Sequence, residues 1–98
     1  MKVQNMKSSN GNTVQNQFII YGDFNAAGVR VNTFQSYSTT IANVYRAGNV
    51  IIKVELDRNA WNYSKTTSKY RNQFLGETTK ETQAKIDSGE YILADLNK

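Results

Sequence analysis

The sequence predicts an α+β fold: a mainly antiparallel sheet of four or five strands followed by two C-terminal helices packed on one of its faces. Three observations carry this reading. β-branched and aromatic runs, separated by short turn signals, fill the first half of the chain. From Ser64 onward the apolar spacing becomes helical, with caps at both ends of two segments. The order of strands followed by helices argues for an antiparallel sheet with the helices on one face, an α+β arrangement.

Residues 1–12 are polar, with a turn signal at Asn10-Gly11-Asn12, and are expected to form a loosely ordered arm. Residues 13–98 are expected to form one α+β domain. A strand over 13–21 ends in the run Phe18-Ile19-Ile20-Tyr21 and closes at Gly22-Asp23. Ala26-Ala27-Gly28 connects it to a second strand over 29–37, so the two read as a hairpin. Thr39-Thr40-Ile41-Ala42-Asn43-Val44-Tyr45 gives a third strand over 39–46, and Arg46-Ala47-Gly48-Asn49 turns into a fourth over 50–56. There Val50, Ile52, Val54 and Leu56 share one face by the two-residue period. An optional fifth strand covers 91–95.

The first helix is expected over 65–75, with Ser64 as its N-cap and Gly76 where a left-handed terminal residue is wanted. Thr66, Thr67, Tyr70 and Phe74 fall on its inner face, and Lys65, Lys69 and Asn72 on the outer one. A second helix over 79–88 follows from the capping-box spacing of Thr78 and Glu81 and from Gly89.

Composition narrows function. The chain has 98 residues with neither cysteine nor histidine. Disulfides and thiolate or imidazole metal ligation are therefore closed to it, as is imidazole acid–base catalysis. A domain of this size has little core to give up, so a ligand site is expected as a surface groove or between subunits. No membrane-spanning or signal-like apolar stretch is seen, which makes a cytoplasmic location the expectation. Glu55 with Asp57, and Glu77 with Glu81, are read as surface and helix-start carboxylates. The chain is read as a non-enzyme that uses no metal and no cofactor.

The net charge of +4 is uneven: residues 58–76 carry Arg58, Lys65, Lys69 and Arg71 and no acid. Cations interleaved with Trp61, Tyr63 and Tyr70 suit a phosphate-bearing partner, since cations neutralise phosphates and ring faces stack on bases. The hydroxyls of Ser64, Thr66 and Thr67 with free helix amides add phosphate-binding capacity. Beside this stands a plainer reading, in which Trp61, Tyr70 and Phe74 are core, the lysines a solvated face and Ser64 a cap. The candidate binding residues are Arg58, Tyr63, Lys65, Lys69 and Arg71, with a second sheet-borne patch at Tyr37, Tyr45 and Arg46.

The segments Phe34-Gln35-Ser36-Tyr37, Asn49-Val50 and Trp61-Asn62-Tyr63-Ser64-Lys65-Thr66-Thr67-Ser68-Lys69-Tyr70-Arg71-Asn72-Gln73-Phe74-Leu75 resemble a family of small uncharacterised bacteriophage proteins. The likeness covers residues 13–76. It implies a phage or prophage origin and an accessory role within the infected bacterial cell. A protein of that kind is expected to inhibit bacterial immunity by binding, in the manner of an anti-CRISPR protein or a nucleotide-signal sponge. Its partner would be a defence protein, a nucleotide or a nucleic acid. The alternatives are a general single-stranded nucleic-acid-binding protein and a virion or assembly protein acting through self-association as a homo-oligomer.

Overall fold

Strand pairing follows the chain. In the computed structural model, which describes residues 1–98, strands β1 (Lys2–Lys7), β2 (Thr13–Tyr21), β3 (Val29–Ser36), β4 (Thr39–Ala47) and β5 (Val50–Asp57) form an antiparallel meander. Two helices follow, α1 (Lys65–Leu75) and α2 (Thr79–Asp87). The chain then returns to the sheet as β6 (Ile92–Ala94), parallel to the end of β5. The architecture is α+β, with a six-stranded, mostly antiparallel sheet in the order β1 to β6.

Two sequence expectations change. The polar stretch expected as an arm contains β1, whose Val3, Gln4 and Asn5 pair with Ile20, Ile19 and Phe18 of β2. Backbone hydrogen bonds hold this strand, together with one apolar anchor, the buried Met6. On β5 the apolar face is core only at Val54 and Leu56, while Val50 and Ile52 are exposed. The register shift between Tyr45 and Arg46 interrupts the alternation there.

One face of the sheet carries the core. Cross-strand neighbours Ile19, Phe34, Ala42, Leu56 and Leu93 share a row, and Val44 pairs with Val54 beside it. Against this face α1 lays Thr67, Tyr70 and Phe74, the Phe74 ring stacking on Phe34 with centroids 5.9 Å apart. Ser64 caps α1, and Gly76, at φ 72°, closes it by donating its N–H to Asn72. The Thr78–Glu81 capping box starts α2. The opposite face has no helix over it; there the Tyr45 hydroxyl donates to Glu55 at 2.7 Å and Lys53 sits over the Tyr45 ring.

Candidate functional site

Two residues other than glycine adopt left-handed backbone: Asn16 at φ 66° and Tyr37 at φ 56°. Asparagine tolerates this conformation, but a bulky residue does so at a cost on the order of 1 kcal/mol or more. Tyr37 is the first residue of the two-residue turn between the paired Ser36 and Thr39, where a hairpin ordinarily places glycine. The two left-handed residues hold each other, because the Tyr37 N–H donates to the Asn16 carbonyl at 2.6 Å. The Gln35 side-chain amide donates to the Tyr37 carbonyl at 2.7 Å. The outcome is a tyrosine ring 58% exposed at a braced hairpin tip.

That tip is tied to the start of α1. The hydroxyls of Ser36 and Thr67, both buried, lie 3.1 Å apart, and Ser64 Oγ accepts the Thr67 N–H at 3.1 Å. Tyr63, just ahead of the cap, is 54% exposed and separates two shallow grooves. Ser38, Thr39, Asn59, Asn97 and Lys98 line one, of about 460 Å³, with Asp57 and Asp95 at its floor and wall. Asn62, Ser64, Lys65, Ser68 and Thr79 line the other, of about 420 Å³. The first turn of α1 holds no acid, so the positive end of the helix dipole and the exposed Lys65 act in the same direction.

Residues 1–90 match DUF8033, a family of unknown function. The chain belongs to that family. No curated protein and no solved structure matches it. The DUF8033 match runs from β1 through α2, so Tyr37, Tyr63 and Lys65 all lie inside it.

Of the residues singled out from sequence, Tyr37, Tyr63 and Lys65 come to this end of the DUF8033 fold. Lys69 is exposed one turn further along α1, its ammonium 5.4 Å from the Tyr70 ring centre. Arg58 serves the fold: it pairs with Asp95 at 3.5 Å and donates to the Leu93 carbonyl at 3.2 Å, fastening the last strand.

Arg71 is a correction, since it is fully buried. Its guanidinium donates to the Trp61 carbonyl, to Asn72 Oδ1 at 2.9 Å and to Thr79 Oγ1 at 2.8 Å, and lies 5.0 Å from the Trp61 ring centre. The helical period that buries Thr67, Tyr70 and Phe74 buries position 71 as well, and charge alone had suggested otherwise. Burial lowers the pKa of this guanidinium. The sheet patch is a second correction. Tyr37 sits at the hairpin tip, Tyr45 on the face away from the helices, and Arg46 at the far end of β4 on the helix-side face. Sequence reasoning missed Asn16, and its only signal was a hairpin turn, Tyr37-Ser38, built without glycine.

Proposed function

We propose that this DUF8033 protein acts by binding, without catalysis, and that Tyr37, Tyr63 and Lys65 receive a ligand combining a flat ring with a phosphate. A nucleotide or a single-stranded nucleic acid has that chemistry. The observation that carries the reading is Tyr37, because an exposed aromatic kept in a strained backbone is poorly explained by folding alone. Tyrosine faces suit stacking on bases, the hydroxyls and amides of the grooves suit sugar and base edges, and Lys65 at a helix start free of acid suits phosphate. In the phage setting that the sequence resemblance implies, such a protein would sequester a nucleotide signal or occupy the nucleic-acid surface of a defence complex. The general single-stranded binder is the same chemistry without a preferred partner.

Titration with mononucleotides, cyclic dinucleotides and a short oligothymidylate, followed by backbone amide NMR, tests the proposal. The expected result is shifts concentrated at residues 36–38 and 62–66, lost in Tyr63→Ala. An oligonucleotide contact would also weaken as salt rises, and Lys65→Gln would flatten that dependence. Saturating ligand with no shift in these segments would sink it.

One observation favours self-association as a second reading. β6 pairs only with Glu55–Asp57, so the outer edge of β5 at Val50-Ile51-Ile52 is unpaired, and all three side chains are exposed. Such an edge is a template for strand addition. If it acts so, sedimentation velocity will show a concentration-dependent dimer that Ile51→Lys abolishes.

A further inference from the structure

The sheet register places Arg30 of β3 directly opposite Arg46 of β4. Directly opposed residues on adjacent strands share a face, with Cβ atoms roughly 5 Å apart, and like charges so placed repel. Neither arginine takes part in any of the ion pairs of the molecule, which join Met1 to Asp23, Lys53 to Glu55, Arg58 to Asp95, Lys85 to Glu77 and Lys98 to Asp95. Arg30 spends its Nε on the Gly22 carbonyl at 3.2 Å, which leaves the outer nitrogens of the guanidinium free. Both side chains are half-buried, so water screens the repulsion only in part.

The surroundings on the Arg30 side are polar. The pair lies on the helix-side face, in the row next to Tyr21, Asn32 and Val44 and beyond the core row headed by Phe34. Lys2, the register partner of Tyr21, brings a third cation to that face. A cavity of about 390 Å³ opens beside Arg30, lined by Met1, Lys2, Gln4, Tyr21, Gly22, Asp23 and Arg30, with Arg46 outside it on the neighbouring strand. The Arg30 guanidinium lies 4.9 Å from the Phe24 ring centre and 6.0 Å from that of Tyr21, so two rings hold it in place. Gly22 lets β2 and β3 close up at this end, because a Cβ at that position would fall 2.5 Å from the Val31 carbonyl oxygen. Asp23, the one carboxylate of the cavity, accepts from the Met1 amino group.

We propose that Arg30 and Arg46 form an oxyanion site that takes a phosphate group between their guanidinium forks, with Lys2 as a supporting charge. Two guanidinium groups can each present paired donors to one phosphate, and the bound anion converts their mutual repulsion into attraction. The site is independent of the tyrosine site. It lies at the opposite end of the β3–β4 hairpin, about six residues along β3 and hence roughly 20 Å away.

The test is thermal unfolding with inorganic pyrophosphate against sodium chloride at equal ionic strength, joined to NMR of the arginine Nε–H groups. Pyrophosphate is expected to raise the Tm of the wild-type protein by several degrees and to shift the Arg30 and Arg46 signals. Arg46→Gln is expected to unfold at an equal or higher Tm without the anion and to lose the pyrophosphate gain. Arg46→Lys should keep part of the gain, and Tyr63→Ala all of it, which separates failure here from failure of the tyrosine site. An oligothymidylate arm identifies the source: shifts with both probes assign a nucleic-acid backbone, and shifts with pyrophosphate alone assign a free phosphate or nucleotide. A pyrophosphate gain that survives intact in Arg46→Gln, or no arginine shift at saturating pyrophosphate, overturns the proposal.

Discussion

Neutral oxygens must solvate a guanidinium that the fold encloses without a carboxylate in hydrogen-bond contact, and Arg71 meets this with carbonyl, amide and hydroxyl acceptors from the 61–62 segment, α1 and the start of α2. One side chain thereby ties three parts of the chain together. Replacing it by methionine roughly keeps volume but leaves the Trp61 carbonyl unpaired and takes the charged donor from Asn62, Asn72 and Thr79, which keep only neutral partners, and is expected to cost on the order of 2–4 kcal/mol in urea unfolding. Tyr37 predicts the reverse pattern. Glycine accepts its left-handed backbone without strain, so Tyr37→Gly should raise stability by up to about 1 kcal/mol while removing ring-dependent binding. A loss of stability without loss of binding would mark Tyr37 as a packing residue. Neither role was legible residue by residue: Arg71 counts as one more cation in a basic segment, and the strain at Tyr37 is a property of φ.

Among the elements, α1 and α2 were the most legible, because Ser64, Gly76, Thr78, Glu81 and Gly89 mark their ends by local hydrogen-bonding chemistry that needs no tertiary context. The strands over 13–21 and 50–56 were equally visible in their β-branched runs. β1 was hidden, since a strand of Lys2, Gln4 and Asn5 has almost no apolar period and forms because β2 offers an edge. What anchors the second helix is the cluster around Glu77, which accepts from Lys85 at 2.7 Å, Thr82 at 2.6 Å and Tyr91 at 2.9 Å. Burial works to raise the Glu77 pKa, but these hydrogen bonds outweigh it and the net shift is downward. Burial and the bond to Glu77 push the Tyr91 hydroxyl up to about 12. A carboxylate whose pKa is lower folded than unfolded, where about 4.3 is usual, stabilises fully above the unfolded value and loses that contribution as pH falls through the folded one. Glu77→Gln should therefore lower the urea midpoint at pH 6 and flatten its decline between pH 5 and 3. An unchanged acid slope would assign that decline to other carboxylates, such as Glu55 and Glu81, whose pKa values are also lowered.

For the molecule as a whole, the class and the order of elements followed from pattern, whereas the candidate sites followed from register. Arg30 and Arg46 are sixteen positions apart in sequence and meet only because β3 and β4 align as they do. Register depends on a hairpin turn and two bulges, features that apolar spacing leaves open. The parallel joint between β5 and β6 has a consequence in time. Every pairing from β1 to β5 closes a short loop, but Glu55 meets Ile92 only after both helices have been placed between them. Closing the longest loop last makes β6 a late arrival in folding. Leu93→Ala should then speed unfolding and leave the refolding rate nearly unchanged, while Val44→Ala, in the middle of the meander, should slow refolding, as stopped-flow chevrons would show. The strand that completes the sheet would also be the first to leave it, and with it would go the wall that Asp95, Asn97 and Lys98 give to the groove beside Tyr63. A binding surface assembled last can be withdrawn without unfolding the rest.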